Sequence, residues 1–153
     1  MKKKDLLALF NSLNSLGSLK GVKFAYAVSR NINKLKSEAE SLQKAISPMP
    51  LFVEFEKERI ELAKSHAKKD ESGKPQAKEG SFVLEDPVKF EAEFDKLKKK
   101  HKEAISEREK QEDDFKLLLE EEVEIELYKV KLDDVPEEIT AQQLHFVSEI
   151  IEE

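Results

Sequence analysis

Residues 25–63 read AYAVSRNINKLKSEAESLQKAISPMPLFVEFEKERIELA, and within them Ala25, Val28, Ile32, Leu35, Ala39, Leu42, Ile46, Met49, Val53, Ile60 and Ala63 fall on one alternating three-and-four spacing. Only Glu56 interrupts that spacing inside the run. Apolar residues that recur every 3.5 positions keep one face of a helix against a partner helix, so this stretch is the seam of a coiled coil. Ser47-Pro48-Met49-Pro50 breaks the backbone pattern, because proline lacks the N–H that a helix interior requires. Ser47 is suited to cap a new helix whose first turn holds the prolines. The seam keeps its phase across this point, which predicts a kink and a restart rather than a change of direction.

A second seam answers the first. Asp86-Pro87 is a helix start, an acid at the N-cap followed by proline at the first helical position. From there Phe90, Phe94, Leu97, His101, Ala104, Arg108, Gln111, Phe115 and Leu118 line one face of a helix expected to reach about residue 121. Residues 70–80 hold two of the four glycines and almost no apolar side chains, which predicts a mobile tip. An antiparallel hairpin about that tip, with Ala67 near Phe90, places Leu42 near Phe115, Ile46 near Gln111 and Glu56 beside His101. The expected fold is therefore mainly α with minor β: a long antiparallel coiled-coil-like helical hairpin, a short β element and a C-terminal helix. By length the 153 residues make a single domain, with an N-terminal helix in 1–20, the hairpin in 22–121 with its tip at 70–86, and a strand plus helix in 122–153.

The flanks carry their own signals. Leu6, Leu9, Phe10, Leu13 and Leu16 form a stripe on a first helix, with Gly17 and Gly21 at its exit. Val123-Glu124-Ile125-Glu126-Leu127 alternates with period two, and Tyr128, Val130 and Leu132 continue in the opposite phase, as in a strand with a bulge. Its partner within the chain is expected at Phe82–Leu84. Thr140 and Gln143 form a capping box opening a last helix through Leu144, Val147 and Ile151.

Asp, Glu, Lys and Arg make up 39% of the residues, well above the roughly 25% of an average soluble domain, which suits elongated helices better than a compact core. There is no cysteine, hence no disulfide framework and no thiolate chemistry. The apolar run after Met1-Lys2-Lys3-Lys4 is too short for a signal peptide, and nothing approaches the ~20 apolar residues of a membrane span. These features predict a soluble intracellular protein without membrane contact. Charge is divided unevenly: residues 1–36 hold eight Lys or Arg against the single acid Asp5, a net of +7, whereas residues 120–153 carry a net of −10. The ends neutralise one another or meet charged partners.

Three segments carry a resemblance: Tyr26-Ala27-Val28-Ser29-Arg30-Asn31-Ile32-Asn33-Lys34-Leu35; Lys69-Asp70-Glu71-Ser72-Gly73-Lys74-Pro75; and Glu122-Val123-Glu124-Ile125-Glu126-Leu127 followed by Lys129, Lys131-Leu132-Asp133-Asp134. Together they resemble a family of small proteins of unknown function encoded by tailed bacteriophages and prophages. The resemblance implies a viral accessory or assembly role, in the cytoplasm of the infected host or on the virion, and supplies no catalytic residues.

The residues themselves offer no enzyme signature, and neither a cofactor nor a metal is expected: His66, His101 and His145 lack the spacing of a metal centre. The expected activity is protein–protein interaction with a phage or host protein, together with self-association as a dimer. Leu6, Leu9, Phe10, Leu13 and Leu16 supply an apolar helix for that dimer, and Val123, Ile125 and Leu127 supply a strand edge. A second reading is nucleic-acid association through Lys2, Lys3, Lys4, Lys20, Lys23 and Arg30. A third is inhibition of a host factor, with the acidic end imitating a phosphate backbone.

Overall fold

The computed structural model describes residues 1–16 and 19–152; Gly17 lies outside them. The protein is mainly helical with minor β structure. Where length predicts a single domain, the chain divides into two compact units, Met1–Ile46 with Asp114–Glu153, and Ser47–Asp113.

The first unit is built on α1 (Lys3–Ser15) and α2 (Val22–Ile46), which pack together, with α6 (Ala141–Phe146) also against α1. Gly21 enters α2 at φ +115°, a conformation that side chains disfavour, and its carbonyl accepts the amide of Ala25. Along α2 the seam is real: Val28, Leu35, Ala39 and Leu42 are buried and Ile32 and Ile46 are half-buried, but Phe24 replaces the exposed Ala25 at its start. Leu6, Leu9, Leu13 and Leu16 are buried in this same core, and Phe10, Val123, Ile125 and Leu127 pack partly buried against it. Of the residues expected to await a second copy, the four leucines are thus buried within the chain, where α1 packs on α2 and α6, while Phe10, Val123, Ile125 and Leu127 stay half-exposed.

The expected strand over 123–132 is shorter and has different partners. Only β3 (Val130–Lys131) is a strand, paired in parallel with β4 (Ile151–Glu152), whereas Phe82 pairs with Ala77 instead. Upstream, Val123 exchanges backbone hydrogen bonds with Met1 at 2.9 and 3.0 Å. The Asn31 side chain then does a strand's work: its Nδ2 donates to the Tyr128 carbonyl and its Oδ1 accepts the Tyr128 amide, both at 2.8 Å. A helix side chain and the N-terminal residues thereby satisfy backbone groups that the alternation alone assigns to a sheet. The Thr140–Gln143 capping box forms as predicted, but α6 ends at Phe146 and Ile151 is strand rather than helix.

The second unit contains α3 (Pro50–Ser65) packed on α4 (Pro87–Lys100), and α5 begins at Lys102 and continues to Glu120. Asp86 caps α4, accepting the Lys89 amide at 3.0 Å. All nine residues of the second seam are buried or half-buried; His101, whose amide still donates to Leu97, marks the junction of α4 and α5.

On α3 the expected phase is wrong. Its cap is Met49 rather than Ser47, and the inward face runs through Phe52, Phe55, Arg59, Leu62 and His66, while Met49, Val53 and Ile60 are 48%, 52% and 40% exposed. The seam has slipped by one residue, about 100° around the helix. The interruption at 47–49 frees α3 from the phase of α2, and stacking decides the rest. Phe55 lies 6.4 Å from Phe94 and 5.6 Å from the His101 ring, and Phe90 stacks on Phe94 at 5.7 Å.

The slip also corrects the polar pair. Glu58, not Glu56, sits beside His101, with Oε1 3.2 Å from Nε2 and a hydrogen bond from Lys100; Glu56 instead binds Arg59. His66 meets Glu93 at 3.0 Å one end further along.

The tip, expected to be mobile, is a hydrogen-bonded β structure. Strands β1 (Ala77–Lys78) and β2 (Ser81–Phe82) pair across Glu79 and Gly80, both at positive φ, and Lys68 bonds to Val83 and Gln76. Asp70 Oδ1 accepts the Ser72 amide and hydroxyl and the Lys74 amide, which holds its carboxyl below the usual range.

Candidate interaction surfaces

The basic N-terminal third and the acidic C-terminal third meet within the first unit. Lys2 and Lys4 share Glu120 at 2.7 and 2.8 Å, Lys3 binds Glu121 at 2.9 Å, and Lys23 binds Asp134 at 2.8 Å. Hydrogen bonds from Lys2 and Lys4 hold the Glu120 carboxyl down at about 2. Part of the charge asymmetry is thus compensated internally, four cations of the N-terminal third pairing with three acids of the C-terminal third. Of the six residues proposed for nucleic acid, Lys2, Lys3, Lys4 and Lys23 are in ion pairs, Lys20 is exposed, and Arg30 lies over the Tyr26 ring at 6.0 Å.

That last contact borders a cleft of about 480 Å³ on the first unit. Its apolar floor is Tyr26 and Tyr128, edge to face at 5.5 Å, beside Val22 and Val130. Its rim carries Lys23, Lys129 and Lys131 against Asp134 and Glu152. Lys23 is matched by Asp134, and Lys129 donates to the Glu149 carbonyl while keeping its charge, so cations prevail on the rim. Val22 is 89%, Tyr26 52% and Tyr128 39% exposed. Large half-wet aromatics beside cations are typical anchors of a binding surface.

The sequence placed Lys23 and Arg30 in a different role and overlooked the tyrosines. Asn31 supplies the missing signal. It sits between Val28 and Leu35 on the apolar face of α2, fully buried, and a polar residue in a seam must be answered from across it. Its answer is the Tyr128 backbone, which fixes the second ring of the cleft.

The second unit offers other surfaces. Met49, Val53 and Ile60 form an outward apolar stripe on α3. Lys96, Lys98, Lys99, Lys100 and Lys102 crowd the junction of α4 and α5, a basic run legible in the sequence. Asp95 pairs with Lys98 and Glu58 with Lys100.

Among the described residues there is no cluster of His, Cys, Asp or Glu suited to a metal ion, and no helix long and apolar enough to cross a membrane. No protein-family model, curated protein or solved structure matches the chain.

Proposed function

We propose that this chain is a non-enzymatic accessory or assembly protein of a tailed bacteriophage that works by holding another protein on the Tyr26–Tyr128 cleft. The phage context rests on the resemblance drawn from its sequence. The binding role rests on one observation: an exposed aromatic pair, held in place by the Asn31 clamp and rimmed by surplus cations. The occupant that fits is a segment of a partner protein carrying an apolar or aromatic anchor between acidic residues. The anchor covers Tyr26, Tyr128 and Val22, and the carboxylates face Lys129, Lys131 and Arg30. Nucleic-acid association stands second, and its support moves to the lysines at 96–102.

The chain has two tyrosines and no tryptophan, so its intrinsic fluorescence reports the cleft alone. Titration with short acidic peptides bearing a central leucine or phenylalanine is expected to change that emission saturably. Lys131→Glu should weaken the effect at least tenfold. In parallel, a partner retrieved from infected cells by the native chain should be lost with Tyr26→Ala. Peptides without effect, together with undiminished retrieval by Tyr26→Ala, would overturn the reading.

A further inference from the structure

We infer that Lys23 is a carboxylate-binding cation of the Tyr26–Tyr128 cleft, and that in the free chain Asp134 occupies it, standing where a carboxylate of the partner protein comes to lie. This rests on the reading of the cleft as a protein-binding site and adds a contact by which that site recognises an acid. Lys23 and Asp134 both line the cleft, together with Val22, Tyr26 and Lys131. The Lys23 Nζ donates to both carboxylate oxygens of Asp134, at 2.8 and 3.2 Å. An incoming aspartate or glutamate would make the same charge-assisted bonds.

The backbone brings the pair together. Lys23 follows Val22 at the start of α2, and Gly21 just before it lies against the turn that carries Asp134. A methyl group on Gly21 would come within 3.8 Å of the Pro136 ring and 4.0 Å of the Asp134 carbonyl oxygen. The contact so formed is open to exchange. The Lys23 side chain is 76% exposed and that of Asp134 25%, and ion pairs with one such wet partner add little to stability, so a second carboxylate can take the lysine at small loss. Among the described residues, Lys23 is the one cation lining the cleft that holds a carboxylate; Lys129 bonds a backbone carbonyl, and Lys131 has no acid within ion-pair distance. The acid released by the exchange stays in a cleft that also holds Lys131.

Carbodiimide coupling joins a lysine amine to a carboxylate only where the two are in contact, and it tests the exchange on the whole native chain. The probe is a short lysine-free peptide of leucine between glutamates, acetylated and amidated so that its side chains hold its only carboxylates. Without peptide, mass spectrometry of the digest should show Lys23 joined to Asp134. At a peptide concentration that saturates the tyrosine emission, that link should largely disappear and Lys23 should carry the peptide instead. In the same titration Asp134→Asn should tighten binding about threefold, the effect of removing a partly exposed competitor. Glu152→Gln, which removes an acid of the same rim that pairs with no lysine among the described residues, should change it less. A Lys23–Asp134 link undiminished by bound peptide overturns the inference and leaves the cleft reading intact, as does an Asp134→Asn chain that binds no more tightly than Glu152→Gln. A peptide that leaves the emission unchanged removes the cleft reading, and this inference with it.

Discussion

Asn31 is the residue on which the first unit turns. Its amide is fully buried, and it answers both the N–H and the C=O of Tyr128 at 2.8 Å, so it replaces two hydrogen bonds that a neighbouring strand would otherwise provide. Removing it leaves two partly buried backbone groups without this partner, each carrying a desolvation penalty. Asn31→Ala is expected to destabilise the protein by about 2–3 kcal/mol, and Asn31→Leu, similar in size but apolar, should not recover that loss. Urea unfolding followed by tyrosine emission measures both. If Asn31→Leu is as stable as the native chain, the clamp is dispensable. The same substitution should also alter the emission of the folded state, since Tyr128 forms part of the floor of the cleft.

At the scale of elements, α3 shows how a helix chooses its face. Two apolar stripes compete on it: Met49, Val53 and Ile60, in phase with α2, and Phe52, Phe55 and Leu62, one residue away. Aromatic side chains bury more area than Val or Met, and Phe55 stacks on Phe94 and meets the His101 ring at a tilt, so the second stripe wins. Phe55 is 5% exposed, and Phe55→Ala should cost about 3–4 kcal/mol, whereas Val53→Ala should stay within about 0.5 kcal/mol. Helical circular dichroism during thermal melting ranks the two variants. The reverse ranking would restore the sequence-derived phase.

Across the molecule, the largest charge contrast is partly compensated inside the first unit, where Lys2, Lys3 and Lys4 are tied to Glu120 and Glu121. The Glu120 carboxyl is lowered from its ordinary 4.5 to about 2 by Lys2 and Lys4. A depressed carboxylate contributes stability that is fully present above the unfolded value and is lost as pH falls through the folded one. The melting temperature of the native chain should therefore drop as pH goes from about 4.5 to about 2, and Glu120→Gln should show a smaller drop over that window. High salt should blunt the difference between them, because these side chains are exposed. Equal pH profiles for the two proteins would show that the pair does not hold the N-terminal residues in place.

The helices, the starts of α4 and α6 and much of the inward faces were legible in the sequence alone. Three-and-four spacing along Val28 to Leu42 and along Phe90 to Leu118, the Asp86-Pro87 start and the Thr140–Gln143 box are local signals, each set by a few adjacent residues. Tertiary structure decided everything that depends on which of two adequate partners wins. It set the slip of α3, where two stripes were equally well spaced and only stacking across the hairpin separates them. It ordered the tip, whose hydrogen bonds join residues such as Lys68 and Val83 that no pattern of polarity links. It buried the leucines of α1, which read as an apolar surface until α2 and α6 close over them. The cleft belongs to this second class as well, because Tyr26 and Tyr128 are 102 positions apart in the chain and meet through a buried amide that answers a distant backbone.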